Sequence, residues 1–404
     1  MHKRSLYLDK IAPFIGKPVI KVITGMRRVG KSYLLRQLIE QLSQRGVPRE
    51  QILYIDKESL DFEHIRTYRD LHQLVFKSLG DRPGYLLVDE VQEIDAWERA
   101  LASLAKGEDI DIYITGSNAQ LFSAELATLL SGRYVEFPLY ALSFAEFRQF
   151  RGADRGDVQR DFADYLRFGS LPAIHHFGLE EEIVYEYIGA IYNTVLLKDV
   201  VRRHNIRNVP LLENIARYAF DNIGNVFSAK KVADFLKAQR LRVGVETVQN
   251  YLGYFQEALL VHKVPRYDLK GKRLLEIHEK YYLGDIGLRH ALLGYREADI
   301  GGVLENIVFL ELKRRGYRVH IGKLGSREVD FVATRAGEKL YVQVAYLLAT
   351  PETVEREFGV LRDIPDNYPK LVLSMDPVFG EDFEGIRRLN LIDFLLQEEY
   401  ANGI

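Results

Sequence analysis

Residues 25–32 read Gly25-Met26-Arg27-Arg28-Val29-Gly30-Lys31-Ser32, which fits the spacing GxxxxGK[ST] in full. The run follows an apolar stretch at 19–24 and precedes residues with helical spacing, the setting in which such a loop works. Its glycines let the backbone curl so that N–H groups face phosphate oxygens. A helix beginning there adds the positive end of its dipole. Lys31 would reach the β- and γ-phosphates, and Ser32 would bind Mg²⁺. The spacing therefore predicts a site for ATP and Mg²⁺ built from these eight residues and the adjoining Tyr33. Arg27 and Arg28 either touch phosphate or stay solvated.

A second run, Tyr85-Leu86-Leu87-Val88-Asp89-Glu90, is an apolar strand ending in two carboxylates. Asp89 would hold Mg²⁺ directly or through water. Glu90 would orient the attacking water and take its proton. Beyond a third apolar run stand Thr115-Gly116-Ser117-Asn118. Asn118 is either a sensor that holds the lytic water or an ordinary turn asparagine. Arg133, just before a further apolar run, either stabilises transition-state charge, in its own site or a neighbouring subunit's, or is a surface arginine.

The elements that must position these groups follow from patterning. Apolar runs at 19–24, 52–56, 85–89, 110–115 and 134–137 alternate with helical spacing, which predicts an α/β unit with a five-stranded parallel sheet. The strand at 52–56 comes between the loop strand and the Asp89 strand in sequence. It places those two apart in the sheet, with 110–115 between them. After Pro138 the pattern turns helical, at 141–150, 161–168 and 180–204, with a polar break at 151–156 and a turn at 169–172. Residues 208–275 read as helices at 211–222, 229–239 and 246–260. Two strands then flank Lys270-Gly271-Lys272, the layout of a winged helix. From about 300, a helix at 302–315 and strands at 317–321, 328–333, 340–345 and 370–374 predict a second α/β domain.

Bulk properties bound the rest. The 404 residues are 47% hydrophobic and 28% charged, with a formal net charge of -2, so a uniformly basic coat is excluded but a local basic patch is not. The absence of cysteine excludes disulfides, thiolate metal sites and cysteine nucleophiles, and it fits a reducing cytoplasm. Asp9 and Lys10 interrupt any signal-peptide core, and no run of about 18 apolar residues predicts a membrane span. His175-His176 lacks further ligands at metal-binding spacing. Nothing in the sequence sets an oligomeric state.

Taken together, these residues resemble the AAA+ superfamily, and more narrowly the bacterial and archaeal ATPases in which an AAA domain precedes a DUF4143 region. The matching stretches are TGMRRVGKS at 24–32, LLVDEVQEI at 86–94, YITGSNAQLFS at 113–123, SGRYVEFPLYALSFAEF at 131–147, YLRFGSLPAI at 165–174, LLKDVVRR at 196–203 and KYYLGDIGLRHALLG at 280–294. Ser170 stands where the family usually has a second glycine. The resemblance implies an AAA+ core (1–140), a helical lid (141–207), a winged helix (208–300) and a C-terminal restriction-endonuclease-like α/β domain of the PD-(D/E)xK type (301–404).

Glu305 and Asp330 fall where that nuclease fold has metal ligands, but Gln343 and Ala345 replace the second acid and the lysine, so no nuclease activity is expected. Lys230, Lys231, Lys237, Arg240 and Arg242, with Lys270, Lys272 and Arg273 at the turn, suit contacts to DNA or RNA phosphates. The helix at 246–260 is acidic, which favours a protein partner instead. The expectation is an ATPase whose nucleotide state moves its other domains, with DNA or RNA as the candidate partner. The alternative is a slow nucleotide switch that docks a protein.

Overall fold

The five apolar runs near the N-terminus become five strands of one parallel sheet. The computed structural model describes residues 2–80, 82–107, 109–119, 130, 132–152, 156–377 and 382–397. Residues 120–123 of YITGSNAQLFS, Ser131 and residues 153–155 of the polar break lie outside them. The chain forms two compact units, residues 1–141 with 257–259, and residues 142–256 with 260–404.

In the first unit, helix α1 (Ser5–Ile11) precedes β1 (Ile20–Thr24), α2 (Lys31–Gln44), β2 (Ile52–Asp56), α3 (Tyr68–Leu79), β3 (Gly84–Asp89), α4 (Trp97–Leu104), β4 (Ile110–Gly116) and β5 (Tyr134–Pro138). The strand order is β2-β3-β4-β1-β5, with every pair parallel. β4 thus separates β1 from β3, as the extra strand required. All five residues of β1 are buried, including Lys21, whose ammonium is neutralised by Asp111. Val22, Ile55, Leu86 and Ile114 pack with Leu71 and Val75 of α3 and with Trp97 and Leu101 of α4. Each such aliphatic side chain contributes about 1.5–3 kcal/mol. A Thr67–Asp70 capping box fixes the start of α3. Because the strands are parallel, the loops after β1, β3 and β4 all leave from one edge, outside the carboxyl ends, where such sheets bind ligands.

The second unit opens with α5 (Phe144–Arg151), α6 (Val158–Phe168) and α7 (Glu181–Thr194), which runs on into π-helical turns over Val195–Arg202. Then come α8 (Val209–Asp221), α9 (Ala229–Ala238), α10 (Val245–Glu257), β6 (Val261–Asp268), β7 (Arg273–Leu283), α11 (Ile286–Leu293) and α12 (Ile300–Arg314). The chain ends with β8 (Arg318–Leu324), β9 (Arg327–Arg335), β10 (Glu338–Val344), α13 (Pro351–Arg362), β11 (Lys370–Ser374), β12 (Arg387–Asn390) and α14 (Leu391–Leu396). Its strands form one mixed sheet in the order β12-β11-β10-β9-β8-β6-β7. The parallel pairing of β6 with β8 joins the expected wing hairpin to the C-terminal strands. Those two segments therefore share one sheet.

The FGSLP and YYLGDIGL stretches meet in this unit. Asp285 caps α11 by accepting from the Gly287 N–H (2.8 Å), and it also accepts from the Ser170 N–H (2.7 Å) and hydroxyl (2.6 Å). Gly169 has φ +75°, and a side chain there would strike the Asp285 carboxylate and the Gly287 backbone. Ser170 thus adds a hydroxyl bond that glycine could not make. Among the described residues no helix is long and apolar enough to cross a membrane.

Candidate active site

The loop after β1 is shaped by its two glycines and by apolar anchors. Met26 and Val29 are buried and pin the loop to the unit. A Cβ on Gly25 would run into the Leu139 carbonyl oxygen, and Gly30 sits at φ +103° as the residue that starts α2. Arg28 also lies in the left-handed region, at φ +66°, with its side chain exposed. Arg27 is instead buried and pairs with Glu58 at 3.4 Å. Tyr33 is exposed on α2, where Arg36 stacks over its ring.

Lys31 is buried at the first turn of α2. Its ammonium donates to the carbonyls of Gly25 (3.1 Å) and Met26 (3.2 Å) and lies 3.3 Å from Glu90 Oε1. Glu90 follows β3 directly and holds φ +53°, a conformation that costs a non-glycine residue about 1–3 kcal/mol and is concentrated at functional sites. Its N–H donates to Thr115 Oγ1 (3.0 Å), and its carboxylate accepts from the Gln92 amide. Asp89 accepts from the Thr115 hydroxyl and from Tyr54 OH (3.3 Å), and Ser32 also hydrogen-bonds to it. Asn118 is buried two residues past β4, next to Ser117, whose hydroxyl lies 3.5 Å from the Gln92 amide nitrogen.

Electrostatics separates the two acids. Burial lifts the Asp89 carboxyl above its usual range, against hydrogen bonds from Ser32 and Thr115. Burial also pushes Glu90 up, but the Lys31 charge, the Gln92 hydrogen bond and Arg27 outweigh it and hold Glu90 below its usual range. An anion cradle, a hydroxyl and a buried carboxylate sharing a hydrogen bond, and a second carboxylate beside a lysine form a donor set that fits a nucleotide polyphosphate with Mg²⁺.

The sheet brings Lys31, Ser32, Asp89, Glu90 and the Thr115–Asn118 segment to one edge. It does not bring Arg133 there. Arg133 lies just before β5, exposed, and its carbonyl accepts from the Ile20 N–H at the start of β1. The loop leaves from the other end of that strand, roughly 13 Å away at the usual rise per residue. Arg133 in its own subunit is therefore on the wrong edge to meet the phosphates.

Sequence reasoning missed Arg4. This buried residue donates from its guanidinium to the Val29 (3.1 Å) and Tyr140 (3.0 Å) carbonyls, and its N–H reaches Gln37 on α2 (3.0 Å), so it braces the loop from behind. A lone arginine before a short helix carries no local signal of that contact.

In the second unit, Glu305 and Asp330 do come together, around a lysine the sequence did not point to. Lys280 of β7 is buried and pairs with Glu328 (2.7 Å), Glu305 (3.1 Å) and Asp330 (4.0 Å). Tyr282 OH donates to Glu305 (3.0 Å). Gln343 accepts from the Asp330 N–H (2.7 Å) and donates to Glu357 (2.6 Å). These acids line an open groove of about 1230 Å³.

A five-stranded parallel sheet that ends on a GxxxxGK[ST] loop and an Asp-Glu pair defines a core of the P-loop ATPase class. Residues 17–148 match the family model for the AAA domain (AAA_14). An uncharacterised protein of Haemophilus influenzae is 36% identical over 401 residues, 98% of this chain and 99% of that one. The chain belongs to that protein's family. An uncharacterised protein of Methanocaldococcus jannaschii is 31% identical over 346 residues, 81% of this chain and 75% of that one. Residues 159–299 match the model of a domain of unknown function, DUF8612, where the resemblance had pointed to DUF4143. Among solved structures, the Walker-type ATPase of Pyrococcus abyssi aligns with a TM-score of 0.52 at 16% identity, over 72% of this chain and 96% of that one, a likeness of fold.

Proposed function

We propose that this chain binds ATP at the β1 loop and hydrolyses it, and that the nucleotide state acts on the second unit. The observation that carries this reading is the meeting of Lys31, Ser32, Asp89, Glu90 and Thr115 at one sheet edge. Backbone N–H groups of residues 25–31 hold the phosphates, and Lys31 gives its charge to the β- and γ-oxygens. Mg²⁺, held by Ser32 and Asp89, would neutralise charge on the phosphate oxygens. Glu90 takes a proton from water, whose oxygen bonds to the γ-phosphorus as the bond to the β-bridging oxygen breaks, leaving ADP and phosphate. Anion entry also draws the Lys31 ammonium away from Glu90, which strengthens the base at the moment it is needed.

Within the second unit we assign residues 208–300 to a winged helix and 301–404 to a nuclease-like fold that binds rather than cleaves. Lys230, Lys231, Lys237, Arg240 and Arg242 are all exposed on α9 and the turn after it, and Lys270, Lys272 and Arg273 are exposed between β6 and β7. That supports DNA or RNA as the partner. Lys280 neutralises Glu305 and Glu328, and Gln343 and Ala345 stand where a second acid and a lysine would serve cleavage, which supports binding over metal-assisted cleavage.

Phosphate release measured with and without a panel of DNAs and RNAs tests the reading. Turnover should rise with the right nucleic acid, vanish in Lys31→Ala and fall to a small residual rate in Glu90→Gln. Tight ATP binding with negligible turnover under every condition would instead establish the slow switch with a protein partner. DNA nicking that needs metal and is lost in Asp330→Ala would overturn the assignment of the groove.

A further inference from the structure

Among the described residues, Gln92, two residues on in the short turn Val91–Glu93, touches the Glu90 carboxylate at Oε2 rather than at Oε1, the oxygen beside Lys31 of the phosphate loop. Its amide nitrogen donates to Glu90 Oε2 and also lies 3.5 Å from Ser117 Oγ at the end of β4. The opposite amide orientation would set two acceptor oxygens against each other, so chemistry fixes the nitrogen on the carboxylate side. The other end of the amide, Gln92 Oε1, is buried and finds no donor among the described residues. A buried acceptor without a donor costs about 1–3 kcal/mol and calls for an explanation.

Holding the amide in this orientation at that cost is what a fixed contact to Glu90 requires. Glu90 is the base of the proposed reaction, so the molecule it deprotonates must sit against its carboxylate. Gln92 Oε1 belongs to the same planar amide that holds that carboxylate. The Gln92 N–H therefore fixes the direction in which the free lone pairs of Glu90 meet that water. Glu90 already carries strained backbone at φ +53°, so its side chain needs a second anchor once Lys31 turns to phosphate.

We propose that Gln92 is the positioning residue of this site: its N–H orients the Glu90 carboxylate toward the water that Glu90 activates. This rests on the ATPase reading above.

Three variants, Gln92→Met, Gln92→Glu and Gln92→Met in a Glu90→Gln background, test it, with folding checked by thermal melts. Met removes both contacts at similar volume. Glu keeps an acceptor but sets a second carboxylate against Glu90. Both single variants should lose about 10- to 100-fold in kcat, a part of what general-base catalysis supplies. Affinity for a non-hydrolysable ATP analogue with Mg²⁺ should stay within about twofold, because Gln92 is not part of the phosphate cradle. In the Glu90→Gln background the Met change should add nothing, since Gln92 acts through Glu90.

An unchanged kcat overturns the role of Gln92 and leaves the ATPase reading intact. A kcat loss matched by lost analogue affinity, or one additive with Glu90→Gln, also overturns it, because the residue is then only structural. A wild-type protein with no turnover brings down the ATPase reading, and this role with it.

Discussion

The first unit buries Lys31 beside a carboxylate at its sheet edge, the second buries Lys280 among carboxylates at its groove, and the two lysines are held in opposite ways. Among the described residues Lys31 pairs with one carboxylate, Glu90, and spends its other donors on the backbone carbonyls of its own loop. Those partners are easily exchanged for phosphate oxygens. Lys280 is ringed by Glu305, Glu328 and Asp330, and both Glu305 and Asp330 are pushed up by burial despite its charge. Its own pKa is raised, because three carboxylates more than offset burial. One lysine is poised to accept an anion, and the other is consumed in neutralising acids. Counting ligands by position in the sequence misses this, because the charge that closes the acidic cluster comes from β7, far from the strands that carry Asp330 and Gln343.

The sharpest test of the contrast is stability. Lys280→Met should cost about 3–5 kcal/mol in denaturant unfolding near pH 7.5, since it strands buried carboxylates. The loss should shrink near pH 5, where Glu305 and Asp330, already raised, take up protons instead. Equal losses at both pH values would mean that packing, not charge, is what Lys280 provides.

Lys31→Met should do the reverse. Turnover should fall by about 10²–10³-fold, the usual effect of removing one preorganised transition-state donor. Stability should change by less than about 2 kcal/mol, because the Glu90 carboxylate still accepts from Gln92 and its N–H still donates to Thr115. A large stability loss with measurable turnover would make Lys31 another neutralising lysine and erase the contrast.

What the sequence revealed divides along the same line. The strand alternation of the first unit, the position of β4 between β1 and β3, and both carboxylates of the site could be read directly, because each lies in a short segment with its own period or spacing. The second unit was legible as elements but not as a sheet. β7 runs to Leu283 rather than stopping near 278, and β6 pairs with β8 across some fifty residues of sequence. No local period reports a pairing of that range. The helices α11 and α13 went unread as well. Arg4 and the Ser170–Asp285 contact were missed for the same reason, and Gln92, only two residues from Glu90, because spacing alone does not report which way a turn aims a side chain. Each is a polar contact whose meaning depends on what the chain brings opposite.

The Ser170–Asp285 contact supplies a smaller effect within the second unit. Burial raises the Asp285 carboxyl from 3.8 to about 6, against hydrogen bonds from Ser170, Gly287 and Leu288. The folded state thus holds its proton more tightly than the unfolded chain does. That contribution is complete below pH about 4 and is lost as pH rises through about 6, to a limit on the order of 3 kcal/mol. The unfolding free energy of wild type, less that of Asp285→Asn, should fall across this window and stay flat above it. A difference that rises with pH would show that the ionised form is the favoured one in the folded clamp.

The smallest expected effect concerns Arg133, and it tests whether the site of the first unit is complete in one chain. The carbonyl of Arg133 bonds to the start of β1 while the phosphate loop leaves from that strand's end, so Arg133→Ala should change turnover in dilute protein by less than about twofold. A larger loss would place the arginine at a neighbouring copy's phosphates, since its own are out of reach. Mixing would then settle the matter. Lys31→Ala subunits, inactive themselves, carry an intact Arg133 and should restore turnover to Arg133→Ala subunits, with a rate that rises with concentration. If mixing restores nothing, a loss in Arg133→Ala reports damage to the Arg133–Ile20 strand edge, and the site described here stands complete in a single chain.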